Sequence, residues 1–219
     1  MTSPTYTLLG VCVGKGKAFP NKTGATGIDK RPVLGPVEVK TLGLVGDEVM
    51  DSKHHGGPDQ AVYLYTQPDY DYWTEFLGEA PAAGAFGENL LISGPASAEV
   101  QIGQRFRIGS VLLEAAASRI PCETFAAHMH DPLFVKKFRQ ARRPGIYARV
   151  IEEGTLQAGD PVTLEGHVPA DAPTILDTFE YFYDKQPTPQ QVQRLLAAPV
   201  AVRLRRELEE QAAKFAAGR

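Results

Sequence analysis

The chain up to about Glu165 is divided into short stretches in which apolar and polar residues alternate, separated by glycine and proline. Side chains of a strand point alternately to its two faces, so this period-two pattern predicts half-buried β-strands. Gly109-Ser110 lies between two such stretches and predicts a two-residue hairpin turn. Many short strands joined by tight turns favour a barrel or a sandwich. The predicted strands are 6–13, 37–42, 61–65, 105–108, 111–116, 146–151 and 161–164.

Two helices are predicted to interrupt the strands. Thr66 would cap the first, with Pro68 in its first turn and Gly78 beyond its end. Asp131 would cap the second, with Pro132 at the first helical position. The side chains expected on the buried faces are Tyr72, Trp73, Phe76 and Leu77 in the first helix and Leu133, Phe134 and Phe138 in the second.

The composition changes after His167. A linker over 168–173, rich in Pro, Ala and Asp, is followed by segments with helical spacing at 174–185, 188–198 and 200–217. Thr188 with Gln191 resembles a capping box. We therefore expect a β-barrel domain over 1–167 and a three-helix C-terminal domain over 168–219, whose role is to cover apolar surface or to pair two subunits as a homodimer.

The charge and cysteine content narrow the function. A net charge of -3 over 219 residues does not suggest a nucleic-acid partner, which would call for a basic surface. No apolar run reaches the roughly 20 residues that a membrane helix needs, and Met1 to Gly10 does not resemble a signal peptide. Two cysteines are too few for a typical disulfide framework, so we expect a cytoplasmic protein. Cys12 lies in an apolar run and is interpreted as a buried bystander.

Ser118-Arg119-Ile120-Pro121-Cys122 follows a predicted strand and is the first candidate site. Arg119 is close enough in sequence to favour a thiolate on Cys122. A thiolate can ligate a soft metal or act as a nucleophile. The alternative interpretation is a buried structural cysteine beside a surface arginine.

Three further segments carry weaker signals. In His54-His55-Gly56-Gly57-Pro58-Asp59 the two glycines allow backbone amides to face an anion, although a surface turn explains them equally. Phe86-Gly87-Glu88-Asn89-Leu90 enters an apolar strand and places two polar side chains before it, or is a simple turn. Gly43-Leu44-Val45-Gly46-Asp47 is compatible with a β-turn. No dinucleotide-binding glycine motif, P-loop or serine nucleophile elbow is present.

Taken in order, these segments resemble the MOSC family, named after the C-terminal domain of molybdenum-cofactor sulfurases. The stretches that carry the resemblance are Gly-Leu-Val-Gly-Asp at 43–47, His-Gly-Gly-Pro-Asp at 55–59, Phe-Gly-Glu-Asn-Leu at 86–90, Arg-x-Pro-Cys at 119–122 and Gly-Ile-Tyr-Ala-Arg-Val at 145–150. The three-helix tail is similar to that of stand-alone bacterial members of the YiiM type.

The resemblance implies a MOSC β-barrel with peripheral helices and a molybdenum–molybdopterin cofactor. It implies that Cys122 is the catalytic residue, ligating the metal or carrying sulfur. A pterin phosphate needs amides and positive charge, and the metal needs a thiolate, so the residues agree with it. The expected cofactor-binding residues are Lys53, His55, Gly56, Gly57, Asp59, Glu88, Asn89 and Arg119. The family also carries an association with pyridoxal phosphate binding.

Members of the YiiM type are described as reductases of N-hydroxylated bases and related compounds. The resemblance therefore implies an oxidoreductase with an N-hydroxylated small-molecule substrate. The sequence contains no cysteine set for an iron–sulfur cluster, so electrons would come from an external electron-transfer protein. Two alternatives remain open: a sulfur-carrier or cofactor-delivery module using a Cys122 persulfide, and a non-catalytic domain that binds a partner through its helical tail.

Overall fold

The computed structural model describes residues 5–18, 25–50 and 56–218. Thirteen strands are assigned within these ranges. They are β1 Thr5–Gly14, β2 Lys17–Ala18, β3 Ala25–Thr26, β4 Lys30–Pro32, β5 Val37–Lys40, β6 Gly43–Leu44, β7 Val62–Thr66, β8 Leu90–Ile92, β9 Arg105–Ile108, β10 Val111–Ser118, β11 Ile146–Glu152, β12 Gly154–Leu156 and β13 Pro161–Glu165.

Seven of these strands close into a β-barrel. The order is β13-β9-β10-β11-β7-β8-β1, and β1 pairs with β13 to complete the ring. All neighbours are antiparallel except β7 and β8. The predicted hairpin is confirmed, since Val111 pairs with Ile108 around Gly109-Ser110. The barrel matters for function because it brings the ends of β7, β8, β10 and β11, which are distant in sequence, to one side.

Six helices surround the barrel in the described part of the chain. They are α1 Gln67–Leu77, α2 Glu123–His128, α3 Phe134–Ala141, α4 Ile175–Tyr183, α5 Pro189–Leu196 and α6 Val202–Ala216. The Thr188 capping box is confirmed, with Gln191 as its partner. Gly78 ends α1 in a left-handed conformation, with φ of 80°. α2 was not predicted, and it begins directly after Cys122.

The buried faces of two helices differ from the prediction. In α1 the buried residues are Asp69, Tyr70 and Trp73, whereas Phe76 and Leu77 are exposed. In α3 the helix starts at Phe134, so Leu133 lies before it and is exposed. Each error assigns an apolar residue at the edge of a helical stripe to the core.

Two large apolar clusters and a small third one, formed by Ala116, Ala117 and Ala201, make up the core of the described residues. The first joins inward-facing strand residues such as Leu64 and Phe106 to Val192 and Leu208 of the tail. The second is aromatic and packs α1 and α3 against the outside of β7, with Trp73 and Phe138 stacked 6.0 Å apart. The tail thus shares the core of the barrel, and the domain boundary at 167 stays a prediction. Across the described residues, no helix combines the length and apolarity that a membrane span requires.

Candidate functional site

A cavity of about 430 Å³ opens on the side of the barrel where β7, β8, β10 and β11 end or begin. We call it the Cys122 cavity. It is lined by residues from the segments 25–30, 47–50, 56–63, 87–89 and 119–124, and by Tyr147. Two further cavities, of about 430 and 500 Å³, lie against the helical tail and have no cysteine in their walls. The Cys122 cavity has a thiol in its wall and is therefore the candidate functional site.

Cys122 sits at the junction between β10 and α2. Its backbone caps α2, where its carbonyl oxygen accepts from the amide of Phe125 at 3.0 Å. The side chain is half-buried and lines the cavity. Because α2 begins at Glu123, Cys122 is fixed as the residue that precedes the helix, and its thiol lies in the cavity wall.

Arg119 is buried in the same wall, with 5% of its surface exposed. Its guanidinium carbon lies 4.3 Å from the ring centre of Phe125 and 5.0 Å from that of Tyr63. Nη1 donates to the carbonyl of Phe86, while Nε is buried without a hydrogen-bond partner. An arginine remains protonated in proteins, so its charge acts electrostatically on Cys122.

The guanidinium has no carboxylate partner among the described residues. No salt bridge of the described chain includes Arg119, although burying an unpaired charge is costly. Two aromatic faces offset part of this cost through cation–π contacts. A buried cation of this kind beside a cavity is suited to an anionic group.

A lysine–aspartate–asparagine network forms another wall. Lys30 is 9% exposed and pairs with the carboxylate of Asp47. Asp47 also accepts from Asn89 Nδ2 at 2.9 Å and from the Gly14 amide at 2.7 Å. Burial lowers the pKa of Lys30, and the Asp47 carboxylate opposes that shift. Lys30 therefore lines the cavity as a second cation, and its ion pair with Asp47 neutralises part of its charge.

Sequence reasoning missed Lys30. It lies in the charged run Asp29-Lys30-Arg31, which reads as a solvated surface. Only the pairing of β4 with the end of β1, where Gly14 faces Lys30, turns this side chain inward. The local sequence does not indicate that Lys30 is buried, because its burial depends on the pairing of β4 with β1 in the folded chain.

Two tyrosines complete the polar lining. Tyr63 and Tyr147 have ring centres 5.0 Å apart, and Tyr63 donates to the carbonyl of Pro144 at 3.0 Å. Burial raises the pKa of both hydroxyls, with the nearby Arg119 charge acting in the opposite direction. Both phenols are therefore neutral near physiological pH and can donate hydrogen bonds. In the sequence, Tyr147 is marked only by its place in the Gly-Ile-Tyr-Ala-Arg-Val stretch at 145–150.

Asn89 lies where the sequence placed it, in the cavity wall, and is also a structural bridge. Its Oδ1 accepts from the Tyr63 amide at 3.1 Å, and its Nδ2 donates to the carbonyl of Cys12 at 3.3 Å. These bonds tie β7 to β1. With Asp47 as a further acceptor, the Asn89 amide is largely engaged within the protein.

Of the predicted glycine turn over 54–59, the structure describes the part from Gly56 onward. Gly56 lines the cavity with φ of 80°, and Gly57, with φ of 84°, precedes the short 3-10 turn Pro58–Gln60. Both conformations favour glycine. Lys53 and His55 lie outside the described residues, so their roles stay predictions.

Asp59 and Glu88 do not line the Cys122 cavity. Asp59 instead accepts from Arg149 Nε at 2.9 Å and from the Val202 amide at 2.7 Å, which joins it to the start of α6. The sequence does not reveal these partners, because they lie 90 and 143 residues away. Direct contact of Asp59 with a cofactor stays a prediction.

Glu88 is completely buried beneath the turn that precedes β8. Its carboxylate accepts from Tyr70 Oη, and from the amides of Gly84 at 2.6 Å and Phe86 at 3.1 Å. Burial raises its pKa. It holds the segment whose Phe86 carbonyl receives Arg119, so Glu88 supports the cavity wall from behind.

The residues present fit an anionic cofactor with a soft metal. The wall provides a thiol, a buried guanidinium without a carboxylate partner, and neutral hydroxyl donors. Close backbone approach also shapes it: a Cβ at Gly27 would lie 1.8 Å from the carbonyl oxygen of Glu48. Among the described residues, no three His, Cys, Asp or Glu side chains converge as a metal site.

Known proteins resemble this chain over most of its length. A family model described as the MOSC domain matches residues 51–163. YflK of Bacillus subtilis (strain 168) is 35% identical over 161 residues, 73% of each chain. YiiM of Escherichia coli (strain K12) is 34% identical over 161 residues, 72% of this chain and 71% of YiiM.

A third relative and a solved structure extend the comparison. A protein of Gibberella moniliformis (strain M3125 / FGSC 7600) named reductase is 33% identical over 153 residues, 65% of this chain but 27% of that protein. The crystal structure of YiiM from Geobacillus stearothermophilus has a TM-score of 0.78 at 26% identity, covering 94% of this chain and 99% of that one.

Proposed function

The chain belongs to the MOSC-domain family, and from that premise we propose that it is a molybdenum-cofactor-dependent reductase of N-hydroxylated compounds. MOSC domains are associated with molybdenum cofactor binding in general, and the reductase-named relative supports an oxidoreductase-like role at the level of the family. The observation that carries the proposal is the half-buried thiol of Cys122 beside the buried, carboxylate-free Arg119 in one cavity.

Cys122 would hold the metal, since a thiolate is a suitable ligand for a soft or high-valent centre. Arg119 and the amide of Gly56 would bind the anionic part of the pterin. Asn89 would act mainly by keeping β7 and β1 in register at the cavity wall. When bound, the molybdenum centre supplies two-electron transfer coupled to oxygen-atom removal.

The protein's own groups would orient the substrate and manage protons. Reduction of an N–OH group to N–H and water consumes two electrons and two protons. An external electron-transfer protein would supply the electrons. The neutral hydroxyl of Tyr147, which lies in the wall with Arg119 and Cys122, can donate a hydrogen bond to the substrate oxygen. The flat rings of Tyr63 and Tyr147 suit a planar substrate such as an N-hydroxylated purine base.

The proposal does not extend to pyridoxal phosphate. Among the described residues lining the cavity, Lys30 is the single lysine, and its amine is engaged by Asp47. A Schiff-base lysine needs a free amine, so this residue is poorly placed for that chemistry.

The test is an assay of N-hydroxylated base reduction with an artificial electron donor, on protein produced in a host that makes molybdenum cofactor. We expect Cys122→Ser to lower kcat/KM by at least about a hundredfold, because a serine hydroxyl, unlike the thiol, does not ionise near neutral pH and so does not replace the thiolate ligand. Cys12→Ala is the matched control, since Cys12 is fully buried outside the cavity lining.

Full activity in Cys122→Ser with molybdenum bound would contradict the ligand assignment. An inactive wild type carrying a persulfide mass on Cys122 would instead favour the sulfur-carrier alternative. An inactive wild type with neither persulfide nor cofactor would favour the partner-binding alternative.

A further inference from the structure

The helical tail contacts two of the segments that line the Cys122 cavity. One segment is the end of β10, which leads through Ser118 to Arg119 and Cys122. The other is the turn 56–61, which contributes Gly56 and Gln60 to the lining. We infer that the C-terminal helices are a positioning element of this cavity, acting through Thr178 on the first segment and through Asp59 on the second. The inference deepens the proposed function, because the positioned residues are those assigned to the cofactor.

The first connection is made by Thr178 of α4. Its side chain is buried, with 3% exposed, and its Oγ1 accepts from the amide of Ser118 at 3.2 Å while donating to the carbonyl of Ile175 at 2.8 Å. Ser118 is the last residue of β10 and is itself buried. The tail thus holds the backbone immediately before Arg119, where the chain leaves the barrel to form the cavity wall.

The second connection runs through Asp59. Its two carboxylate oxygens accept from the Val202 amide at 2.7 Å and from Arg149 Nε at 2.9 Å. Arg149 also donates to the carbonyls of Pro199 at 3.0 Å and Val200 at 3.4 Å, and pairs with Glu114 at 3.2 Å. The α5–α6 junction is therefore bonded to the turn whose next residue, Gln60, lines the cavity.

A backbone bond lies between these two connections. The Ala201 amide donates to the carbonyl of Ala116 at 2.9 Å, and both residues are buried. Tyr147 of the cavity packs against this small cluster. The tail therefore packs behind the cavity wall that contains Tyr147, Arg119 and Cys122. Groups behind a binding site commonly set the orientation of the residues that touch the ligand.

The test uses alkylation of Cys122 by iodoacetamide in the cofactor-free, folded protein at one fixed pH. In Thr178→Val the Ser118 amide loses its acceptor with little change of shape. A buried donor left without a partner shifts a local equilibrium roughly fivefold or more, which favours opened forms of the 118–122 loop. We expect Cys122 to react at least about threefold faster. Thr178→Ser, which keeps the hydroxyl, should restore the wild-type rate.

Val192→Ala separates positioning from general destabilisation. Val192 is buried in α5 and takes part in neither connection. Its truncation should lower Tm without changing the Cys122 rate. The inference is overturned if Thr178→Val reacts at the wild-type rate, or if Val192→Ala accelerates the reaction as much at a matched loss of Tm. Buried Cys12 reports on unfolding, since its alkylation marks loss of the fold.

Asp59→Ala tests the second connection and keeps the inference falsifiable if Thr178→Val does not fold. Hydrogen exchange of the peptide 56–66 should be at least about threefold faster, whereas Val192→Ala should leave it unchanged; equal exchange in wild type and Asp59→Ala would overturn this part. Neither readout needs a cofactor, so both outcomes stand even if the wild-type protein carries no molybdenum. In cofactor-loaded protein, both tail-contact variants should retain less pterin than Val192→Ala.

Discussion

At the scale of single residues, the charge of Arg119 dominates the Cys122 cavity. It lies between the rings of Tyr63 and Phe125, and no carboxylate of the described residues pairs with it. A buried cation in this state is costly to the fold. Such a cost is typical of binding sites, where an anionic ligand supplies the missing partner.

Glu88 provides a residue-scale prediction about pH. Burial raises its pKa above the ordinary value of 4.5, so the folded protein holds this proton to higher pH than the unfolded chain does. Its contribution to stability is therefore present below pH 4.5 and is lost as pH rises through the folded-state pKa. We expect the unfolding free energy of wild type minus that of Glu88→Gln to fall as pH rises above 4.5.

Denaturant unfolding at several pH values measures this difference. Glu79→Gln is the control, since it makes the same change at an exposed glutamate. A Glu88→Gln difference that rises with pH would contradict the assignment.

The sequence identified residues that line the cavity better than it identified the hydrogen-bond partners of its acidic side chains. Cys122 and Arg119 form a local motif after a strand, and the structure places both in one cavity. Asp59 and Glu88 look like ligand-binding residues in isolation, yet their hydrogen-bond partners lie in other elements or beneath the chain. Whether an acidic side chain faces a cavity or a distant amide depends on tertiary packing, which a local motif does not encode.

At the scale of elements, close backbone contacts form one side of the cavity. A Cβ at Gly27 would lie 1.8 Å from the Glu48 carbonyl oxygen, and one at Gly14 would lie 2.2 Å from the Gly27 carbonyl oxygen. Three backbone segments thus approach each other without intervening side chains. Gly27 and Glu48 both line the cavity, so this contact forms part of its wall.

Gly27→Ala tests that contact. The added methyl must push the two segments apart, so we expect a loss of about 1–3 kcal/mol in unfolding free energy and weaker pterin retention. Gly10→Ala is the matched control on β1, because its Cβ would meet Ala83 at an ordinary 3.5 Å. That change should cost less than about 1 kcal/mol. Equal stability of the two variants would show that the segments separate freely.

Long elements were predicted more successfully than short ones. The seven predicted strands all correspond to strands of the sheets, because each is an alternating or continuously apolar run of at least four residues. The two-residue strands β2, β3 and β6 are too short to show any period. α2 escaped prediction since its six residues follow a proline–cysteine turn without a Ser, Thr, Asp or Asn cap.

At the scale of the whole molecule, barrel and tail form one packed unit. Val192, Leu195 and Leu208 of the tail share an apolar cluster with the barrel strands. The sequence predicted the three helices but left their role open, as an amphipathic stripe does not reveal what covers it. The structure shows that one side of the tail packs on the barrel, while pairing of two subunits remains a prediction.

The most direct test of the account is molybdenum and pterin content per chain, measured by elemental analysis and by fluorescence after oxidation, in protein from a cofactor-competent host. We predict about one molybdenum and one pterin in wild type and in Cys12→Ala, with loss of the metal in Cys122→Ala. Wild-type protein without either component, or Cys122→Ala with a full complement of molybdenum, would contradict the claim that the Cys122 thiolate holds the cofactor.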